Sequence, residues 1–94
     1  MTEKDTRTVQ TVLGTMTYDE LSSLMEVLSK RDFLTVNEAV VYFGIGRARL
    51  RHLMHAPDCD FVVKSGRQSR IVREKLRDYI LEGRAGDLGN ASED

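Results

Sequence analysis

Three arginines alternate along one short stretch, Arg47, Arg49 and Arg51, with Ala48 between them and the imidazoles of His52 and His55 just after. A guanidinium meets phosphate oxygens as a charge and guanine O6 and N7 as a planar fork, and a small residue such as Ala48 lets a helix approach closely. A second group, Lys64, Arg67, Gln68 and Arg70, brackets Gly66. Together these side chains suit the backbone and base edges of double-stranded DNA. A basic face is often only solvated surface, and charges on short strands also stop them pairing with another chain; Lys64 fits either role. The setting of the two groups favours DNA contact for Arg47, Ala48, Arg49, Arg51, His52, His55, Lys64, Arg67, Gln68 and Arg70.

Other chemistries are poorly served. His52, His55 and Cys59 could each ligate zinc, but they straddle Pro57, lack an obvious fourth ligand and miss the usual paired spacings. No metal and no cofactor is expected. A nucleophile at Cys59 would need a base, an orienting acid and a cleft, and none can be named, so the chain reads as no enzyme. Glu38 is explained by helix capping, and Tyr42 and Tyr79 by packing.

The chain has 94 residues, no Trp, three Tyr and three Phe, which bounds it to one small core of Leu, Ile, Val and Met. Its net charge of −1 conceals a division. From Gly46 to Arg77 nine Lys or Arg stand against Asp58, Asp60 and Glu74, a local balance of +6, and the remaining segments carry −7. Charge segregated in this way sets up a local field even when the total is near zero. One cysteine excludes an internal disulfide, and no basic-plus-apolar leader or run of about 18 apolar residues stands out, so a soluble protein of the reducing cytoplasm, with no membrane partner, is expected.

The elements that must position these residues are legible in part. Residues 1–16 read as a largely flexible N-terminal segment, with an ambiguous apolar patch at Val9, Val12 and Leu13. Thr17-Tyr18-Asp19-Glu20 has the Thr-x-x-Glu form of a capping box, and Leu21, Leu24, Met25 and Leu28 follow at the spacing of one helical face; this predicts an amphipathic helix over about 18–30 within a 17–32 segment packed on or beside the core. Thr35-Val36-Asn37-Glu38 opens a second helix of about 36–43. Gly44-Ile45-Gly46 then forms a tight turn, and a third helix runs from Arg47 to His55 or Ala56, where Pro57 stops it. Phe61–Lys64 and Ser69–Val72 read as strands joined through Ser65–Gln68, with Gly66 at the position needing positive φ. Leu76, Tyr79 and Ile80 mark a last helix from Arg73 to about Glu82, and 83–94 reads as a flexible acidic tail.

The phrase Phe33-Leu34-Thr35-Val36-Asn37-Glu38-Ala39, then Tyr42-Phe43-Gly44-Ile45-Gly46, then Leu50-Arg51-His52-Leu53, a hairpin and the run from Ile71 to Ile80 resembles the excisionases of conjugative transposons, within the excisionase/MerR-like group. The likeness covers about residues 33–81. It implies an α+β winged helix-turn-helix over 33–82, to which the N-terminal helix is an addition. By position Arg47, Ala48, Arg49, Arg51 and His52 match the family's recognition-helix surface, and Gly66 to Arg70 its wing. Ala48 departs in lacking a hydrogen-bonding side chain, and Ser69 in being polar. The implied role is that of a mobile-element accessory protein which binds and bends DNA near attachment sites and works with a tyrosine-family integrase toward excision; self-association on DNA is a separate expectation, not one the resemblance carries. Two other readings are a small MerR-like transcriptional regulator and an interaction adaptor using the helix at 18–30.

Overall fold

Thr17 and Thr35 each close a complete capping box. The Thr17 hydroxyl accepts the Glu20 amide at 3.0 Å while the Glu20 carboxylate accepts the Thr17 amide at 2.8 Å, and Thr35 and Glu38 repeat the exchange at 3.1 and 2.9 Å. These boxes satisfy amides that a helix start leaves without partners, and they set the first residues of α1 (Tyr18–Leu28) and α2 (Val36–Phe43). α1 is two residues shorter than its periodicity suggests. The amides of Lys30 and Arg31 turn instead to the carbonyls of Val27 and Leu28, three residues back, which tightens the end of the helix.

The computed structural model describes residues 6–86, a small α+β fold with four helices and two small sheets among them. Gly44 ends α2 in the left-handed region at φ 66°, Ile45 turns into the core at 2% exposure, and α3 (Arg47–Met54) begins immediately after Gly46. The last turn of α3 is closed by its own sequence, since His55 Nδ1 lies 3.0 Å from the carbonyl oxygen of Arg51.

A three-stranded antiparallel sheet lies behind the helices. Its order is β3 (Phe33–Leu34), β5 (Gln68–Val72), β4 (Val62–Ser65), with Phe33 opposite Val72, Leu34 opposite Ile71, and Val63 opposite Arg70. The first of these strands is not foreseen from the sequence, because two residues carry no period. The hairpin is also tighter than the four-residue tip expected. Ser65 and Gln68 pair, leaving Gly66 and Arg67 as a two-residue turn with Gly66 at φ 65°, the positive value that the first position of a type II′ turn requires.

The two ends of the chain correct the sequence reading. Within the segment expected to be flexible, β1 (Thr8–Thr11) and β2 (Gly14–Thr17) pair as a hairpin, with Val9 opposite Met16. Alternating Thr with Val and Met favours extended chain, and the Tyr18 amide bonds the Arg7 carbonyl at 2.9 Å while the Arg7 guanidinium lies over the Tyr18 ring. At the other end α4 (Arg73–Leu81) is followed by a turn that packs onto the body. Ala85 is 2% exposed, so 83–86 belongs to the fold and not to a tail; residues 1–5 and 87–94 lie outside the described residues.

The core joins the four helices to the three-stranded sheet. Leu28 of α1, Leu34 of β3, Leu50 and Leu53 of α3, Ile71 of β5 and Leu76 and Tyr79 of α4 are all buried, with Phe61 edge-on to Tyr79 at 5.0 Å between ring centres. Each such side chain withdrawn from water contributes roughly 1.5–3 kcal/mol before ordering costs. α1 thus covers the core through Leu28, with Leu24 packed beside it.

Candidate nucleic-acid interface

On α3 the burial follows the helical period. Leu50 and Leu53 are buried, Met54 is half-buried, and Arg47, Ala48, Arg51 and His52 are at least partly exposed. Four predicted contact residues therefore share one accessible side of one helix. His55 is exposed as well, and its ring is occupied with the Arg51 carbonyl. Arg49 differs from the other two arginines. It lies on the opposite flank of the exposed face, and a Cβ at Gly86 would lie 3.8 Å from its Nη1.

The hairpin residues do not share a face. Residues opposite one another across a ladder project the same way, so Lys64 and Ser69 follow the side of buried Ile71, whereas Arg70 and Gln68 follow Val63 and Val72 on the other. Lys64, Arg67 and Gln68 are exposed. Arg70 is half-buried on the central strand, where Phe33, Val63 and Ser65 line a shallow groove with it. Phe33 and Val63 are large exposed apolar residues at 53% and 44%, so the aliphatic stem of Arg70 has apolar neighbours while its head remains free to reach outward.

The loop between α3 and β4 is anchored from the C-terminal side. Tyr79 donates to Asp58 at 2.7 Å, and Arg84 lies over the Tyr79 ring at 4.4 Å and pairs with Glu82 at 2.8 Å, Asp60 at 3.6 Å and Asp58 at 3.7 Å. The Tyr79 phenol is pushed up to about 12, first by its hydrogen bond to Asp58, then by burial, then by the Asp58 charge. Sequence reasoning missed this network. Its one local signal is Ala85, an apolar residue in an otherwise polar run, which is too little to predict docking. Among the described residues no cluster of His, Cys, Asp and Glu could hold a metal ion, and no helix is long and apolar enough to cross a membrane. Cys59 is half-buried against the core.

A basic helix after a glycine turn and a basic hairpin recur on many unrelated scaffolds, so the pattern of the whole chain decides. The family model for the excisionase from transposon Tn916 matches residues 24–85, well over half the chain. The chain belongs to the Tn916 excisionase family. It is thus an excisionase-type DNA-binding protein of a mobile element, in a family associated with recombination and excision and made of accessory proteins rather than enzymes. The match takes in all of α2, α3, the β3-β5-β4 sheet and α4, with the second half of α1, and it ends at buried Ala85. No curated protein and no solved structure matches the chain.

Proposed function

We propose that this excisionase-family protein grips duplex DNA as a winged helix-turn-helix, with α3 in the major groove and the β4–β5 hairpin as a wing on the adjoining backbone or minor groove. The observation that carries the reading is the accessible run of Arg47, Ala48, Arg51 and His52 on one side of a helix that a buried Ile45 turn and a leucine stripe hold to the core. Arg51 and Arg47 serve phosphates or guanine edges, Ala48 allows close approach, and His52 and His55 lie within the same footprint. On the wing, Arg67 and Gln68 occupy the tip region, Lys64 one face and Arg70 the other, so a hairpin inserted edgewise contacts DNA with both faces.

In this role the protein bends DNA near the ends of the element and favours excision by a tyrosine-family integrase in the cytoplasm, with copies assembling side by side on repeated sites. Bending lets a bound integrase reach two separated sites, an effect that base contacts alone do not give. The decisive experiment pairs circular-permutation bending of attachment-site DNA with a reconstituted excision reaction. Bent complexes and more excision product with the protein than without it are expected. Tight binding with neither effect would reject excision and leave a transcriptional regulator; absence of salt-sensitive binding to every duplex would reject both.

A further inference from the structure

Among the described residues the most exposed large apolar side chain is Leu81, 70% exposed at the end of α4. The helical period explains it, since Leu76 and Tyr79 face the core, Ile80 packs at its edge, and the next residue turns outward. One turn earlier Leu81 has two charged neighbours of opposite sign, Arg77 at four residues back and Asp78 at three. Both are exposed, and among the described residues neither side chain has a hydrogen-bond or ion-pair partner. Arg77 and Leu81 also border a shallow apolar groove of about 400 Å³, which Met25 of α1, Tyr42 and Phe43 of α2 and Ile80 complete. Arg77 is its one charged lining residue, and no residue of α3 or of the β4–β5 hairpin lines it.

A lone cation beside an apolar groove is matched by an apolar side chain with an acid next to it. This chain presents that combination itself, as Leu81 with Asp78. A projection, a groove, a cation and an anion thus lie on one surface, and a two-fold axis brings each to its complement twice, as an isologous interface requires. We infer that two copies of this chain pair through this face. Leu81 of each copy enters the groove of the other, and Arg77 of each pairs with Asp78 of the other. The interface is small: typical stable complexes bury about 800 Å² per partner, and exposed ion pairs add little, so the association is weak, on the order of 100 μM. Because α3 and the hairpin stay outside it, the dimer carries two DNA-facing surfaces and holds two duplexes at once. Pairing rests on shape and charge alone; the holding of two duplexes rests on the reading under Proposed function.

The test is sedimentation equilibrium of the full chain up to about 1 mM, where a reversible monomer–dimer equilibrium is expected. Leu81→Ser is expected to weaken it about tenfold. Arg77→Asp and Asp78→Arg each set like charges against one another at both pairs, and each alone is expected to weaken the dimer about fivefold or more at low salt. Mixed in equal amounts, these two variants restore both pairs, so the mixed dimer is expected to form about as well as the parent. A parent that stays monomeric throughout would overturn the proposal. So would a dimer indifferent to Leu81→Ser, or charge variants whose mixture associates no better than either alone. For the two duplexes, a labelled duplex should be retained on an immobilised one by the parent and released with Leu81→Ser, while that variant still binds a single duplex. Dimers that bind DNA without such retention would overturn the bridging. Dimers that bind no duplex at all would uphold the pairing and reject the DNA reading.

Discussion

The phenol of Tyr79 on α4 donates a 2.7 Å hydrogen bond to the carboxylate of Asp58, in the loop that leaves α3. The two residues belong to different elements, and their bond joins the last helix of the fold to the connection between the basic helix and the basic hairpin. Arg84 adds to the same joint by covering the Tyr79 ring and pairing with Asp58. Through this joint the position of β4 relative to α3 depends on α4.

Tyr79→Phe is expected to lower stability by about 1 kcal/mol, the usual size for one hydrogen bond to a partly solvated partner, as measured by urea unfolding. The pH dependence has a defined sign. Tyr79 is raised from an ordinary 10.0 to about 12, so the fold holds this proton more tightly than the unfolded chain does. Its contribution is full below about pH 10 and is lost as pH rises through about 12. Phenolate absorbance should show one late-titrating tyrosine in the parent, and its persistence in Tyr79→Phe would assign the late group elsewhere.

Removing one exposed guanidinium from α3 should act on DNA binding and leave the fold intact. Arg51→Ala is expected to weaken duplex binding about tenfold near physiological salt and to reduce the log-log salt slope by about 0.9 if the contact is to phosphate. Thermal unfolding should be nearly unchanged, since the Arg51 side chain is exposed and its carbonyl, which bonds His55, is kept. Unchanged affinity across salt would remove Arg51 from the interface.

The hairpin turn offers a backbone test. Gly66 has φ 65°, and no heavy atom outside Ser65, Gly66 and Arg67 lies within 4 Å of the place a Cβ would take, so the cost of substitution there is conformational and not crowding by the rest of the fold. Gly66→Val is expected to cost about 1–2 kcal/mol and to raise amide exchange at the strand ends, whereas Gly66→Asn should cost clearly less because Asn tolerates positive φ better than a β-branched residue does. Equal costs for the two would argue against the II′ turn.

The two capping boxes should differ in worth. Thr35→Ala removes a half-buried cap, and its partner Glu38 also pairs with Arg31 at 3.0 Å; Thr17→Ala removes an exposed one. Losses of about 1–2 kcal/mol at Thr35 and about 0.5–1 kcal/mol at Thr17 are expected from equilibrium unfolding. A larger loss at Thr17 would show that the N-terminal hairpin, which ends at that residue, depends on the cap.

What the sequence determined by itself are the features written in neighbouring residues. The two Thr-x-x-Glu boxes, the Gly44-Ile45-Gly46 turn, the stop at Pro57, the Gly66 turn and the burial stripe of α3 all depend on contacts within a few positions, and residue types there have direct backbone consequences. The charge division between 46–77 and the remainder is equally a property of the chain. The tertiary structure decided whatever needs a distant partner. Phe33 and Leu34 form a strand because Val72 and Ile71 lie opposite them, and Ala85 is buried in the core beside an Arg84 that pairs with Asp58 and Asp60 across the fold. The same holds for Arg49, which matches Arg47 and Arg51 in type and spacing, yet has the returning chain beside it at Gly86. Local chemistry can state that three arginines lie on one helix, but what each of them faces is set by where the rest of the chain comes back.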